Sequence, residues 1–244
     1  MEDDLPRVAV VIPSWNCVDD LRACLASLQA QRGVELEVMV VDNGSGDGSV
    51  EFLRSEGVPH IALESNLGFA PAVNMGFFAT SALVVATINA DTICEPTAMA
   101  EMHRELMLDE TIGGVQPRIL SLIRGSNRSA DDPSVSIYSL GQALTADGRA
   151  REDGIGLPQG ERGYSAREIF GVCGAACMFR RDLIVDLGGY DESYFAFYED
   201  VDLNVRARVT GWRFKLVPTS VVWHVGNAAW HTGFKRPDAE NARL

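Results

Sequence analysis

The 244-residue chain combines a 46% hydrophobic fraction with 23% charged residues, a composition typical of globular proteins that excludes a disordered or fibrous chain. Its 21 Lys and Arg against 34 Asp and Glu give a formal net charge of −13, which repels polyanions and argues against a nucleic-acid partner. No apolar run is long enough to cross a bilayer and the first residues are acidic. The sequence therefore predicts a cytoplasmic location.

The five cysteines are odd in number and scattered through apolar segments, a pattern typical of buried, reduced thiols. Cys173 and Cys177 are spaced closely enough to suggest a metal site. No second pair of Cys or His completes the usual four-ligand zinc pattern, so structural zinc is not predicted.

The first half of the chain alternates short β-branched runs with amphipathic stretches, which indicates a parallel sheet covered by helices on both faces. Predicted strands span residues 8–12, 36–41, 60–63 and 83–88, and predicted helices span 21–28, a short segment after Gly48, and 69–80. Asn16 is predicted to cap the first helix.

From about Pro96 the periodic pattern is weaker. A helix is predicted over 99–108, a strand over 114–119, long loops over 121–163, a buried apolar run over 169–179, a helix over 200–209 and short strands over 214–217 and 221–224. The loop segment is interpreted as mobile or substrate-contacting, because it offers little apolar periodicity.

Polar side chains follow several predicted strands: residues 13–16, Asp42 with Asn43, Asn66, and Asp91. Because open α/β sheets bind ligands beyond the carboxyl ends of their strands, these side chains indicate a ligand site. Each could instead only cap a helix, but several together favour a ligand. Gly44, Gly46 and Gly48 do not match a dinucleotide fingerprint, since Ser49 replaces its last glycine; a left-handed turn explains them.

Asp91 is the first carboxylate after a strand expected to be fully buried. Mg²⁺ and Mn²⁺ prefer one or two carboxylates together with phosphate oxygens. With only two lysines, Lys215 and Lys235, the chain has little fixed positive charge for a diphosphate, and a metal at Asp91 would supply it. The alternative is that Thr92 and Glu95, ahead of Pro96, form a helix cap to which Asp91 belongs.

An aromatic run over residues 194–198 leads directly to Glu199, Asp200 and Asp202. Apolar surroundings raise the pKa of a carboxyl group toward the range of a general base, and aromatic faces pack on sugar rings. Acidic residues at a helix start also complement the helix dipole, which could account for one or two of the three. His224, at a strand end, is either a structural histidine or a ligand of metal or phosphate.

Five ordered motifs resemble the inverting family 2 glycosyltransferases with the GT-A fold, especially rhamnosyltransferase-like bacterial members. They are residues 10–16, 40–49, 66–76, 89–92 and 188–212. The resemblance covers about residues 7–227 and implies an α/β GT-A fold, with a Rossmann-like, mostly parallel central sheet flanked by helices and a smaller mixed subregion on the acceptor side. It divides the chain into a nucleotide-sugar-binding half (1–93), an acceptor-binding and catalytic half (94–227) and a C-terminal tail (228–244), which is shorter than in relatives.

The resemblance also assigns roles to single residues. It implies Asp200 as catalytic base, Glu199, Asp202 and Trp223 at the acceptor or in support, Gly174 at the donor sugar, and Asp91 with His224 as ligands of Mg²⁺ or Mn²⁺. For the donor nucleotide it implies Pro13, Ser14, Trp15, Asn16, Asp42, Asn66, Gly68, Asn74 and Asn89. Asn89 stands at the first position of the family's DxD motif and removes one anionic metal ligand.

The expected reaction is transfer of a sugar from a dTDP- or UDP-sugar, such as dTDP-rhamnose, to a hydroxyl group of a saccharide or lipid-linked acceptor. Such an acceptor would bring the enzyme to the inner face of the plasma membrane. Two alternatives stay open at this point: a sugar nucleotidyltransferase, although residues 14–19 lack its Gly-rich basic loop, and a non-catalytic saccharide-binding module on the same fold.

Overall fold

The computed structural model describes residues 5–126, 128–161 and 165–226. The acidic residues 1–4 and the predicted tail 228–244 lie outside these ranges. The helices are α1 (Val18–Gln29), α2 (Ser49–Ser55), α3 (Phe69–Ala79), α4 (Ala98–Met107), α5 (Arg181–Leu187) and α6 (Glu199–Val209). Within the described ranges, none of them combines the length and apolar character needed to cross a membrane.

Ten of the strands form one sheet, and two form a separate hairpin. The strands are β1 (Arg7–Ser14), β2 (Glu35–Asp42), β3 (His60–Ala62), β4 (Val84–Ile88), β5 (Thr92–Cys94), β6 (Ile112–Ser121), β7 (Ile137–Ser139), β8 (Gln142–Leu144), β9 (Ala150–Glu152), β10 (Arg167–Ile169), β11 (Ala176–Arg180) and β12 (Arg213–His224). The sheet order is β10-β12-β6-β11-β4-β1-β2-β3, with β5 on β12 and β7 on β6. β8 and β9 form the hairpin.

The central sheet is mostly parallel. β1 pairs in parallel with β2 and β4, and β12 pairs in parallel with β6. β11 lies between β4 and β6 and runs antiparallel to both. This arrangement confirms the predicted architecture of a mostly parallel sheet flanked by helices, with a smaller mixed region on one side.

The β-branched strands form a sheet buried on both faces. In β1, Val8, Val10 and Ile12 pack into one apolar core with residues of α1 and α4, whereas Ala9 and Val11 pack into a second core with α3. Alternate side chains of a strand point to opposite faces, so each strand contributes to both cores. The carboxyl edge of the sheet is left for polar groups.

Two predicted helix caps are wrong. α1 begins at Val18 with Cys17 at its N-cap, and Asn16 instead adopts a left-handed conformation with φ +49°. α4 begins at Ala98 with Thr97 at its N-cap, while Thr92 lies in β5. Asp91 is therefore separated from α4 by a strand, and the helix-cap alternative for Asp91 does not hold.

The segment predicted as long loops contains β7 and the β8–β9 hairpin. These strands have three residues each, too short to establish a sequence period. The predicted strands 214–217 and 221–224 are the two ends of β12, which has a register shift between Val217 and Val221.

Candidate active site

The carboxyl ends of the parallel strands bring the candidate site together. β1 ends at Ser14, β2 at Asp42, β4 at Ile88 and β12 at His224. Because β11 is antiparallel, its first residue, Ala176, lies opposite Ile88 at this same edge. Residues far apart in sequence therefore face one surface, as expected for an open α/β sheet.

The turns after β1 and β2 are joined by hydrogen bonds. The backbone N–H of Asn16 donates to Ser45 Oγ (2.9 Å), and the N–H of Gly46 donates to Asn16 Oδ1 (2.8 Å). Gly44 and Gly48 have φ values of +75° and +91°, as the turn interpretation predicts, whereas Gly46 does not have a positive φ. Of the predicted nucleotide-binding residues, Pro13 and Ser14 thus end β1, and Trp15 and Asn16 lie on the turn that follows, which is fixed against its neighbour.

Asp42 has a buried carboxylate oxygen available for a ligand. Its side chain is fully buried, and Oδ1 accepts a hydrogen bond from the N–H of Ser45 at 2.9 Å. Oδ2 has no hydrogen-bond partner among the described residues. Since buried polar atoms are normally paired, this oxygen is suited to accept a hydrogen bond from a bound molecule.

Asn66 and Gly68 shape the start of α3. Asn66 Oδ1 accepts a hydrogen bond from the N–H of Gly68 (2.9 Å), and the N–H of Phe69 donates to the carbonyl oxygen of Phe195 (2.6 Å). Gly68 has φ +102°, and a Cβ there would lie 2.4 Å from the same carbonyl oxygen. Both residues therefore join the α3 turn to the aromatic segment 194–198.

Asn74 does not lie with the other predicted nucleotide residues. It is buried in α3, where its Nδ2 donates to the carbonyl oxygen of Tyr190 (2.9 Å) and to Glu192 Oε1 (3.0 Å). Its Oδ1 accepts from the N–H of Tyr190 (2.9 Å). Because its amide already holds the loop after α5, we do not include Asn74 in the donor pocket.

Asp91 and His224 form a buried pair, with His224 Nε2 and Asp91 Oδ1 3.0 Å apart. The N–H of Gly226 donates to Asp91 Oδ2 at 3.2 Å. Burial opposes ionisation of Asp91, but the interaction with His224 and the backbone hydrogen bonds outweigh it and lower the pKa of Asp91 below its ordinary value. Asp91 is therefore anionic at neutral pH.

These residues fit a hard divalent cation. Asn89 Oδ1, two residues from the anionic Asp91, is buried and lacks a hydrogen-bond partner among the described residues. The same holds for His224 Nδ1, which lies on the other side of the imidazole ring from the Nε2 atom that pairs with Asp91. Carboxylate oxygen, amide oxygen and imidazole nitrogen are all ligand types that Mn²⁺ accepts, and Mg²⁺ accepts the two oxygens. The donor set is thus compatible with the predicted metal.

The segment after β6 places positive charge beside Asp91. Arg124 and Arg128 line a cavity of about 300 Å³ together with Asp91 and Asp20. Arg124 also pairs with Asp20 (Nη2 to Oδ2, 2.5 Å). The count of lysines did not include these two arginines, which come from a segment without a periodic pattern.

Asp200 is held at the start of α6 by three hydrogen bonds. Its Oδ2 accepts from the N–H of Gly174 and from Gln142 Nε2, both at 2.8 Å, and its Oδ1 accepts from the N–H of Val201 at 2.8 Å. Burial raises the pKa of Asp200, and the backbone and Gln142 hydrogen bonds only partly offset that rise. Such a carboxylate combines fixed orientation with increased basicity, as a general base requires.

The aromatic segment before Asp200 is strained. Phe197 and Tyr198 have φ values of +69° and +70°, and Tyr198 is the N-cap of α6. Left-handed non-glycine residues cost free energy and concentrate at functional sites. Gly174, predicted at the donor sugar, lies against this carboxylate: a Cβ there would be 3.4 Å from Asp200 Oδ2.

The predicted supporting residues have different partners. Glu199 is buried next to Asp200, and burial, followed by the charge of Asp200, raises the pKa of Glu199 to about 8. Asp202 pairs with Arg206 within α6 (2.7 Å). Trp223 is buried, and its Nε1 donates to Glu95 Oε1 (2.7 Å). Asp202 and Trp223 therefore support the fold around the site and do not reach into it.

Two consecutive residues connect the Asp91 and Asp200 sites. The N–H of Asn89 donates to the carbonyl oxygen of Ala175 (2.9 Å), and the N–H of Gly174 donates to Asp200 Oδ2 (2.8 Å). Tyr138 lies against the ring of His224, with centroids 4.4 Å apart. Burial raises the pKa of Tyr138, and the charges of Asp91 and Asp200 both add to the rise. Both carboxylates thus lie near Tyr138, at the same edge of the sheet.

Sequence reasoning missed Tyr138, Gln142 and Glu152. Glu152 lies beside Asp200, and Glu152, Cys173 and Asp200 bring ligand-type atoms within 4.8 Å of one another. All three missed residues come from the segment interpreted as loops. Asp147-Gly148, a dipeptide typical of tight hairpin turns, was the available signal for the β8–β9 hairpin.

Comparison with known proteins supports the predicted family. The family model described as "Glycosyl transferase family 2" matches residues 9–188. An uncharacterized glycosyltransferase, YibD of Escherichia coli, is 32% identical over 48% of this chain and 35% of its own length. The Mycobacterium tuberculosis N-acetylglucosaminyl-diphospho-decaprenol L-rhamnosyltransferase is 28% identical over 92% of this chain and 76% of its own length.

A structural neighbour shows the same fold. The crystal structure of GalNAc-T7 with UDP, GalNAc and Mn²⁺ superposes with a TM-score of 0.72 at 16% identity, over 91% of this chain and 44% of that one. At this identity the likeness shows the fold alone. This chain spans about a third of YibD and about half of the Staphylococcus aureus poly-β-1,6-N-acetyl-D-glucosamine synthase that it also resembles.

Proposed function

Because this chain belongs to glycosyltransferase family 2, we propose that it transfers a sugar, with inversion, from a nucleoside diphosphate donor to a hydroxyl group of an acceptor. The observation that carries the proposal is the connection of Asp91 to Asp200 through Asn89, Ala175 and Gly174. It supports a site in which Asp91, which would bind a cation, and Asp200, which would act as base, share one edge of the sheet.

The donor nucleotide is assigned to the half formed by residues 1–93. The unpaired Oδ2 of Asp42 would accept a hydrogen bond from the base or ribose, beside the end of β1 (Pro13 and Ser14) and the turn that carries Trp15 and Asn16. Asn66 and Gly68 would form the adjoining wall. Arg124 and Arg128 would attract the negatively charged diphosphate toward Asp91.

Asp91, His224 and Asn89 would hold Mg²⁺ or Mn²⁺. When bound, the cation would neutralise charge on the diphosphate leaving group. Asp200, whose orientation is fixed by Gly174 and Gln142, would remove the proton of the acceptor hydroxyl. The acceptor oxygen then forms a bond to the anomeric carbon, and the bond from that carbon to the diphosphate breaks with its electron pair.

The finer specificity is proposed from the rhamnosyltransferase relative. A dTDP- or UDP-sugar such as dTDP-rhamnose is proposed as the donor, and a saccharide or lipid-linked saccharide as the acceptor. An acceptor of this kind places the reaction at the cytoplasmic face of the plasma membrane, in cell-wall or surface polysaccharide synthesis.

The substitution Asp200→Asn tests the proposal. Because the amide cannot accept the proton, we expect kcat for transfer to fall about 10²- to 10⁴-fold. We expect binding of the nucleoside diphosphate, measured by calorimetry, to stay unchanged. The control is Asp191→Asn, an exposed residue of the preceding loop, which should retain turnover. Normal turnover of Asp200→Asn would remove Asp200 from the mechanism.

The same assay separates the alternatives. Release of pyrophosphate from a nucleoside triphosphate and a sugar phosphate would indicate a nucleotidyltransferase. Saccharide binding without any metal-dependent consumption of nucleotide sugar would indicate a non-catalytic module.

A further inference from the structure

The β8–β9 hairpin brings a second carboxylate to Asp200. Glu152 is the last residue of β9, and its side chain is partly buried. Its carboxylate, the Cys173 thiol and the carboxylate of Asp200 lie within 4.8 Å of one another. Two acidic groups at this distance in a partly desolvated site influence each other's ionisation strongly.

Gln142 fixes the two carboxylates relative to each other. Its Nε2 donates to Asp200 Oδ2 at 2.8 Å and to Glu152 Oε1 at 3.2 Å. Its Oε1 accepts from Asn204 Nδ2 (2.8 Å), which sets the orientation of the amide. On the other side of the carboxylate, Ser139 Oγ donates to Glu152 Oε2. The position of Glu152 is therefore determined by the fold.

Titratable groups surround the pair on several elements. Glu152 faces Asp200 of α6, the Cys173 thiol before β11, and Tyr138 of β7. Asp200 also faces Glu199. The nearby Arg167 pairs with Asp153 (2.7 Å). Burial, followed by the charge of Asp200, raises the pKa of Glu152 to about 7.

We propose that Glu152 is a positioning residue for the transfer reaction: held by Gln142 and Ser139, its carboxylate orients Asp200 and makes it a stronger proton acceptor. The inference rests on the proposed function. As Glu152 loses its proton, its negative charge favours protonation of Asp200, so the proton of the acceptor hydroxyl moves to Asp200 more readily. The acceptor's proton stays on Asp200 and does not pass to Glu152 through Gln142, because the amide group of Gln142 donates hydrogen bonds without giving up its protons.

The pH dependence of kcat for wild type and Glu152→Gln is the first test. For wild type we expect an inflection near pH 7, where Glu152 ionises and the rate rises. Glu152→Gln should lose that inflection and show kcat about three- to tenfold lower above pH 7, with the donor KM unchanged. Asp153→Asn, the matched control on the same hairpin, should retain the inflection. An inflection kept in Glu152→Gln would overturn the inference.

The second test does not need turnover. In protein with ¹³C-labelled glutamate side chains, Glu152 is the resonance missing from Glu152→Gln, or from Glu152→Asp if the first variant does not fold. Its pKa should fall by about one pH unit, a tenfold change in proton dissociation, when Asp200→Asn removes the neighbouring charge. An unchanged pKa of Glu152 would contradict the coupling.

The two proposals fail in different ways. A wild-type enzyme that transfers no sugar would contradict the proposed function. An active wild type whose pH profile is unaffected by Glu152→Gln would contradict the role of Glu152 alone.

Discussion

Asp91 illustrates how one buried side chain stays ionised without a bound cation. Its carboxylate lies 3.0 Å from His224 Nε2 and accepts a hydrogen bond from the N–H of Gly226. These contacts lower the pKa of Asp91 despite its burial. If Asp91 binds the proposed cation, this ionised state limits the reorganisation that binding requires.

Asp91→Asn should remove the stabilisation that Mn²⁺ gives to the native protein. In wild type, Mn²⁺ at one hundred times its Kd should raise the free energy of unfolding by about 2.7 kcal/mol, because it binds only the folded state. The neutral amide of the variant should reduce this effect strongly. Thermal denaturation with and without Mn²⁺ measures it, and the exposed Asp186→Asn is the control. Equal stabilisation of Asp91→Asn and wild type would mean that the cation binds elsewhere.

Among the secondary-structure elements, the sequence predicted the long and apolar ones best. β4 and α3 differ from their predicted bounds by a single residue at one end, because apolar runs and helical spacing are strong signals. The hairpin that carries Gln142 and Glu152 was missed, since strands of three residues are too short to show a period. Its position depends on tertiary contacts with the segment between β10 and β11 and with α6, such as those of Gln142 with Gly171 and Asn204, which local sequence does not encode.

The junction between α3 and the aromatic segment gives a second prediction. Gly68→Ala should lower the free energy of unfolding by about 1 to 3 kcal/mol, because its φ is +102° and the new Cβ would meet the carbonyl oxygen of Phe195. It should also lower kcat, since the segment leads to Asp200. Gly57→Ala, with φ +66° and open space around it, carries the backbone strain without the clash. Denaturant unfolding that finds the two variants equally destabilised would contradict a contact role for Gly68.

For the whole molecule, the predicted GT-A fold and membership of family 2 are confirmed. The five motifs were sufficient to predict the fold and the family, because each includes a strand end or a helix start, where backbone geometry restricts the choice of residue. The site was predicted less completely. Asn74, in α3, holds the loop after α5. The segment without a regular pattern brings four further residues to the site: Arg124, Tyr138, Gln142 and Glu152.

The buried glutamates predict how stability depends on pH. The pKa of Glu199 is raised to about 8 and that of Glu152 to about 7. Their protonated forms therefore favour the folded state, and this contribution is lost as the pH rises from about 5 through 8. We expect the free energy of unfolding to be several kcal/mol lower at pH 8.5 than at pH 5.5. Glu199→Gln should flatten this dependence in denaturant titrations; a steeper or equal slope would contradict the assignment.

The reversed direction of β11 has a consequence for the polarity of this surface. Parallel strands finish on carbonyl groups, so their ends supply electron pairs and repel an anion. A strand running the opposite way starts there, and it presents amide hydrogens instead. Gly174, just before β11, uses such a hydrogen on Asp200. One antiparallel strand thus supplies a fixed hydrogen-bond donor at an edge otherwise lined by carbonyl oxygens, and this donor holds the negatively charged side chain of Asp200.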